Sequence, residues 1–483
     1  MKLLFIQSDP FAWTGKMSIS AVLKKAGHDC DVLIEPAEKN LIESIKKVEP
    51  DIIAFSATTG VHMWVLAKAK EIKENFNVPI LLAGSHATYF PQILGDENLD
   101  FICVGEGEEA IVELLDNLEK NKDVTNIQNI WAKKDNKIYQ NPIRPLIQDL
   151  DSLPFPDRGL YYKRYSFLRD QHSRDFVFMR GCPFPCAFCY NHSMKKLYAG
   201  KGNYVRFRSV ESVIGELLDV KNNWGLGSAM LFDEVMFFDK KWLSDFFIQY
   251  KQIINVPFVT EVRADLIDEE VVHGLKEAGC ICIRMGVESG SNKLRNEVLK
   301  KVLTNEQIEK AAKILKKEKI LIETYNMIGF PKETLEDAFE TIRFNKKIKA
   351  DYAWCAIFHP YPKTDLAELA IKENLIDKNF WEKMGPSFFM ETPMKLKNNK
   401  EIVNLQRFFA LTVKLHLPIP LIRLLIKAPN NKVYDLIFKA GYIYLTLKTT
   451  NIGVKGIFKL GKLTKNYFVK KKFEDSLEDD YLE

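Results

Sequence analysis

No apolar run in the 483 residues approaches the roughly 18 to 20 positions a membrane-spanning helix needs, so no transmembrane segment is expected. Cysteine is scarce. Eight thiols, unevenly spaced in a chain this long, exclude a disulfide scaffold and point to ligation by reduced sulfur. No short tandem repeat recurs, and 24 glycines with 20 prolines are too few for a collagen-like or low-complexity chain. The formal charge of +5 does not by itself argue for nucleic acid. Met1-Lys2-Leu3-Leu4-Phe5-Ile6 meets Asp9 and Pro10 before a secretion-signal core could form, so it reads as a first strand and the protein is expected to be cytoplasmic.

What the chain does contain is alternation. Over residues 1–118 short β-rich runs (Leu3–Gln7, Asp31–Ile34, Ile52–Ser56, Ile80–Ala83, Phe101–Val104) alternate with helical patterns, which predicts an α/β, doubly wound parallel sheet. Ligands on such a sheet sit at the C-terminal strand ends, after Gln7, Ser56, Ala83 and Val104. Residues 119–172 read as irregular, with one small hairpin around Ile130–Tyr139, and 141–172 as a linker. Alternation restarts with strands at Phe176–Arg180, Ala229–Asp233, Phe258–Arg263, Cys280–Gly286, Leu321–Met327 and Tyr352–Phe358. Six βα units predict a partial parallel barrel over 173–375, with its chemistry at the strand C-termini. From about Asn374 the remainder, 376–483, reads as mostly helical.

The first barrel strand runs into Arg180-Gly181-Cys182-Pro183-Phe184-Pro185-Cys186-Ala187-Phe188-Cys189-Tyr190. Three thiolates at C-x3-C-x2-C spacing can each reach a different iron of one cubane, leaving one iron open for catalysis. The competing reading is a structural zinc site with His192 as fourth ligand, but no second C-x2-C pair exists. Cys280 and Cys282, one apart on a strand and pointing the same way, read as core residues.

The cysteine loop and the barrel resemble the radical S-adenosylmethionine superfamily. That resemblance implies a [4Fe-4S] cluster on Cys182, Cys186 and Cys189, S-adenosylmethionine chelated to the free iron, reductive cleavage to a 5′-deoxyadenosyl radical, and a one-electron reductant such as flavodoxin or ferredoxin. Asp233-Glu234 looks like the acidic position for the methionine ammonium, without the usual Gly-Gly-Glu. Arg263, Glu288 and Ser289 resemble the carboxylate and ribose positions, and Gly329-Phe330-Pro331-Lys332-Glu333 the adenine side, with Lys332 where glycine is common. Each acid would serve equally well as a helix cap; four coincidences at successive strand ends favour the site.

Gly105-Glu106-Gly107-Glu108-Glu109-Ala110 fits a dinucleotide fingerprint, yet three carboxylates would face a pyrophosphate and the motif lies in the last βα unit. Residues 1–140 instead resemble the Rossmann-like cobalamin-binding domain found ahead of such barrels. The resemblance places the nucleotide tail beside Ser56, Ala57 and Gly84, with Gly105 and Glu106 in the last matching motif. The D-x-H-x-x-G loop that gives cobalt a histidine is missing. His62 and His86 lie nearer the ligand face and read as ordinary loop histidines.

A sulfonium methyl reacts with nucleophiles but not with an unactivated carbon, so a barrel radical together with methylcobalamin implies a C-methyltransferase. Radical oxidation, cyclisation or rearrangement is the second enzymatic reading, and a cobalamin- or metal-binding sensor the non-enzymatic one. Tyr190, His359 and Tyr361 are candidate acid/base or substrate contacts. The segment from Arg407 to Lys472 carries fourteen bases against Asp435 alone. Packing of its apolar side on the barrel is favoured there, with peripheral membrane contact through 405–472 as the alternative. The substrate is a small or lipid-linked molecule of unknown identity, and no nucleic-acid partner is expected.

Overall fold

The structure, a computed structural model, describes residues 1–384, 392–429 and 431–449. Five parallel strands, β1 (Lys2–Gln7), β2 (Asp29–Ile34), β3 (Ile52–Ser56), β4 (Ile80–Ala83) and β5 (Phe101–Cys103), form the first sheet. An antiparallel hairpin, β6 (Ile130–Lys134) and β7 (Lys137–Tyr139), extends it to the order β2-β1-β3-β4-β5-β6-β7. Both faces are covered, which is why β1 is apolar at consecutive positions. Leu3 and Phe5 face one core and Leu4 and Ile6 the other.

The stretch 141–172, expected as a linker, is a covering layer. Leu160, Tyr161, Tyr162, Tyr165 and Leu168 are buried in the Leu3/Phe5 core. The Tyr161 hydroxyl donates to Gln7 Oε1 at 2.7 Å, and that of Tyr165 to Glu38 at 2.7 Å. Aromatic residues with hydroxyl handles bury well once a polar partner is in reach, and those partners lie more than a hundred residues away.

The second sheet has six strands and is parallel throughout. Its members are β8 (Ser173–Phe176), β11 (Ser228–Leu231), β12 (Phe258–Val262), β13 (Cys280–Glu288), β14 (Leu321–Ile328) and β15 (Tyr352–Ile357), the six-stranded partial barrel the alternation predicts. Its first strand ends earlier than expected. Asp233 Oδ1 accepts the N–H groups of Phe178 and Met179 at 2.7 and 2.9 Å, drawing the chain out of the sheet. Met179–Arg180 (β9) then pairs antiparallel with Arg206–Phe207 (β10) in a separate ribbon. Cys280 and Cys282 do not point the same way. A register shift against Phe258/Val259 breaks the alternation, so Cys280 packs toward the helices and Cys282 with Met230 and Val259.

Beyond the barrel, the helix Asn399–Lys414 lies on β15, with Gln406 Nε2 donating to the Cys355 carbonyl at 3.1 Å. The helices Ile419–Leu425 and Lys432–Thr449 follow, the latter held by Arg407–Asp435 at 2.7 Å and by Phe408 against Tyr434. Among the described residues no helix is long and apolar enough to cross a membrane. The bases from Lys455 to Lys472 lie outside the described residues.

One buried ion pair ties the covering layer to the barrel. Arg158 donates to Glu216 Oε1 at 2.9 Å with both side chains 2% exposed, and Arg208 pairs with the other oxygen. Glu216→Ala strands two guanidinium groups and is expected to cost about 3 to 5 kcal/mol. A lowered urea midpoint would register it, with Glu216→Gln falling in between.

Candidate functional site

The C-terminal strand ends of the first sheet face the segments that follow β8 and β11 of the second across one cavity of about 600 Å³, which the ends of β12 to β15 do not line. The first domain lines it with Ser56, Ala57, Gly84, Gly105 and Glu106. The second contributes Arg180, Gly181, Tyr190, Tyr198, Tyr204 and Glu234. Gly84 has φ +95, and a Cβ there would stand 2.8 Å from the Ala57 carbonyl oxygen, so the two strand ends approach closely only because that side chain is missing. Gly105 has φ +83, and a Cβ would fall 1.9 Å from the Tyr198 hydroxyl. Both glycines are thus required by close packing against protein atoms, and together with Ser56 and Ala57 they form a small-residue cradle on the cavity wall.

His62 and His86 do not line it. They stack on each other with centroids 3.9 Å apart, their Nδ1 atoms bonded to the Gly60 N–H and the Thr59 hydroxyl. Burial pushes His62 down to about 4 and His86 to about 3, so both are neutral. Among the described residues the cavity wall contains no histidine.

The three loop thiols are unpaired with one another and half-buried. A single tetrahedral zinc, with Zn–S bonds of about 2.3 Å, would hold its sulfurs about 3.8 Å apart. Among the described residues only His28, Asp116 and Glu119 bring three ligating atoms within 4.8 Å of one another. The three loop thiols do not form such a group. His192 is engaged elsewhere, with Nε2 3.4 Å from Asp365. Burial raises all three thiols, Cys189 to about 11, so metal must displace their protons.

The remaining candidates gather around this loop. Glu234 Oε2 accepts the Gly181 N–H at 2.9 Å. Asp233 is buried with Oδ2 unpartnered, its carboxyl pushed up to about 7 by burial. Arg263 stacks over Phe184 at 3.9 Å, inside the cysteine loop, and donates to the Val302 carbonyl at 2.6 Å. Glu288 pairs with Lys301 at 2.6 Å, and the Ser289 hydroxyl accepts the Ser291 N–H. Lys332 has φ +65, the conformation that explains why glycine is common there. Below them the register sets Glu261, Arg284 and Glu323 side by side across the barrel interior. Tyr190 reaches the cavity, whereas His359 and Tyr361 do not line it. His359 is buried with Nδ1 3.2 Å from the Ile357 carbonyl, and Tyr361 is exposed.

Glu333 accepts the N–H groups of Gly329 and Phe330 while Oε1 stays unpartnered, and burial raises its carboxyl from 4.5 to about 8. The folded chain therefore holds a proton there that the unfolded chain releases. Stability from this group is present below about pH 4.5 and declines toward pH 8 by at most about 1.4 kcal/mol per unit. Glu333→Gln keeps the acceptor without the titration, so its melting temperature should exceed wild type at pH 8.5 and match it at pH 4.5.

Sequence reasoning missed Arg180, Tyr198, Tyr204 and Arg206. None has a local signature, because each acquires its role from a partner in the other domain or across the ribbon.

The family model described as the radical SAM superfamily matches residues 176–344, and that for the B12 binding domain matches 10–115. Over 392 residues the chain is 33% identical to the uncharacterized methyltransferase PH0819 of Pyrococcus horikoshii, covering 78% of this chain and 82% of that protein. It is 28% identical over 389 residues to an anaerobic magnesium-protoporphyrin IX monomethyl ester cyclase of Rubrivivax gelatinosus, covering 76% and 68%. The fold is shared with the cobalamin-dependent enzyme OxsB with aqua-cobalamin bound (TM-score 0.67, 15% identity, 96% of this chain and 75% of that one). It is shared also with the methyltransferase TsrM from Kitasatospora setae with cobalamin and a [4Fe-4S] cluster bound (TM-score 0.64, 14% identity, 77% and 78%). With the small-residue cradle and the residues flanking the cysteine loop, Gly181 and Tyr190, lining one cavity whose wall does not include the three cysteines themselves, this chain belongs to the cobalamin-binding radical S-adenosylmethionine family, enzymes whose cofactors are a [4Fe-4S] cluster, S-adenosylmethionine and cobalamin.

Proposed function

We propose that the protein methylates an unactivated carbon of its substrate, with Cys182, Cys186 and Cys189 each holding one iron. The observation carrying this reading is the single cavity shared by the cradle of Ser56, Ala57, Gly84 and Gly105 and the rim of the cysteine loop. When bound, the cluster with S-adenosylmethionine supplies hydrogen-atom abstraction, and cobalamin supplies a methyl group that a carbon radical accepts.

The chain's own residues position and exclude water. Glu234 fixes the Gly181 N–H, and with Asp233 it stands at the methionine ammonium. Arg263, Glu288 and Ser289 stand on the carboxylate and ribose side, Gly329 and Glu333 on the adenine side. Tyr190 keeps its proton, because burial raises it far above the usual phenol range, and so it acts as a donor to substrate. His359 and Tyr361, after β15 and off the cavity wall, carry no role in this reading. The division expected from the sequence (1–140, 141–172, 173–375 and 376–483) separates cobalamin binding, covering layer, radical chemistry and helical support.

Mass decides the outcome. Given trideuteromethyl S-adenosylmethionine, a low-potential reductant of the flavodoxin or ferredoxin kind and a small-molecule extract, the anaerobic holoenzyme should yield a product in which CD3 replaces hydrogen. Loss of hydrogen or unchanged mass would establish the oxidative, cyclising or rearranging alternative, which the cyclase relative favours. No reductive cleavage would leave only a sensor.

We also propose a cytoplasmic location with peripheral contact to an anionic membrane face. Leu424, Val433, Leu436 and Ile443 are exposed on the last two helices beside Lys432 and Lys439. Full-length protein should float with phosphatidylglycerol vesicles but not phosphatidylcholine ones, and Leu436→Glu should abolish flotation. Absence of flotation on both would remove this contact.

A further inference from the structure

The loop Val104–Glu108 of the first domain grips the cysteine loop of the second from both sides. Glu106 Oε1 accepts Arg206 Nη2 at 2.8 Å and Arg180 Nη1 at 3.1 Å. Its Oε2 accepts Arg206 Nη1 and the Ile147 N–H, both at 3.1 Å. Glu108, almost fully buried, takes the remaining Arg180 Nη. Arg180 and Arg206 are cross-strand partners in the β9–β10 ribbon. Everything between them, the three cysteines and the helix Tyr190–Leu197 included, is closed off by that pair. Just beyond that helix the Tyr198 hydroxyl accepts the Glu106 N–H at 2.9 Å and presses on Gly105.

Both oxygens of Glu106 are thus spent on protein donors, although the side chain borders the cavity. Burial alone would raise this carboxyl, but the two guanidinium groups hold it below the usual range. Apolar packing would join two domains at least as strongly, since desolvation offsets most of the attraction within a buried ion pair. What a bidentate arginine fork adds is geometry: it fixes distance and orientation together. We infer that Glu106 is a positioning residue that locks the cobalamin-side loop to the cluster-side ribbon through Arg180 and Arg206, and so sets the separation between the two cofactors. The inference rests on the cofactor placement proposed above. Its consequence is large, because a misplacement of about 1 Å between reacting groups can cost about a hundredfold in rate.

Pulsed EPR on the full-length holoenzyme, with cob(II)alamin and the reduced cluster as the two spins, reads that separation without any turnover. Wild type should give a narrow distance distribution with both cofactors at full occupancy. Its failure to bind either would refute the cofactor placement rather than this inference. Glu106→Gln, which keeps shape and removes charge, should retain both cofactors but broaden or shift the distribution. Arg206→Gln should do the same, and the double variant should be no worse than Glu106→Gln alone. Arg206→Lys, which keeps the charge but loses the fork, should broaden it to a lesser degree and covers the case in which the glutamine variants fail to fold. Unchanged distributions in Glu106→Gln and Arg206→Lys would overturn the inference. So would loss of cobalamin alone from Glu106→Gln, which would make the carboxylate a cofactor ligand.

Discussion

Cys186→Ala is expected to yield a folded protein with iron well below wild type after anaerobic reconstitution, and reductive cleavage of S-adenosylmethionine should fall by at least about three orders of magnitude, because a cluster left with two sulfur donors forfeits the chemistry that lowers the barrier. Folding should survive because the thiol is only half-buried and bonds to neither other loop cysteine. The loop around it is held independently. The Ala187 N–H donates to the Leu299 carbonyl at 2.9 Å, and the Ala187 carbonyl accepts the Leu366 N–H at 2.9 Å. Circular dichroism and iron analysis on one sample separate loss of ligand from loss of fold. Cleavage at the wild-type rate in this variant would mean that the three thiols do not hold the reactive cluster.

Gly181→Ala is expected to be nearly as damaging by a different route. At φ +87 an alanine bears left-handed strain of about 1 to 2 kcal/mol. Its Cβ would also lie 2.2 Å from the Tyr204 carbonyl oxygen. That oxygen is backbone and cannot rotate away, so the β9–β10 ribbon must part. With it go the Gly181 bond to Glu234 and the facing of Arg180 and Arg206. Together these should cost about 3 kcal/mol or more and prevent full iron loading. Gly200→Ala is the control. It has φ +74 with open space around its Cβ, so it should cost only about 1 kcal/mol and load normally. Equal iron content and melting temperature in the two variants would show that the ribbon does not hold the loop.

What could be read from the sequence, and what could not, follows the range of each interaction. The cysteine spacing is local chemistry in eight residues, and strand–helix alternation is local periodicity, so the cluster loop and both parallel sheets were legible. Gly84 and Gly105 stood out as small residues at strand ends. The reasons they must be small, the Ala57 backbone and the Tyr198 hydroxyl, come from separate segments of the chain. The early end of β8 depends on Asp233 capping Phe178 and Met179 from more than fifty residues away. The opposite facing of Cys280 and Cys282 depends on a register shift that no alternation pattern reveals. The Arg206–Glu106 contact spans exactly the kind of separation that periodicity cannot report, a hundred residues between one domain and the next.

Mössbauer spectra of the anaerobic iron-57 holoenzyme, recorded with and without S-adenosylmethionine, test the central claim most directly. One iron of the cluster should change its isomer shift when the cosubstrate is added, while the three bound by Cys182, Cys186 and Cys189 keep theirs. Spectra identical in both conditions, or a loop occupied by zinc instead of iron, would contradict it.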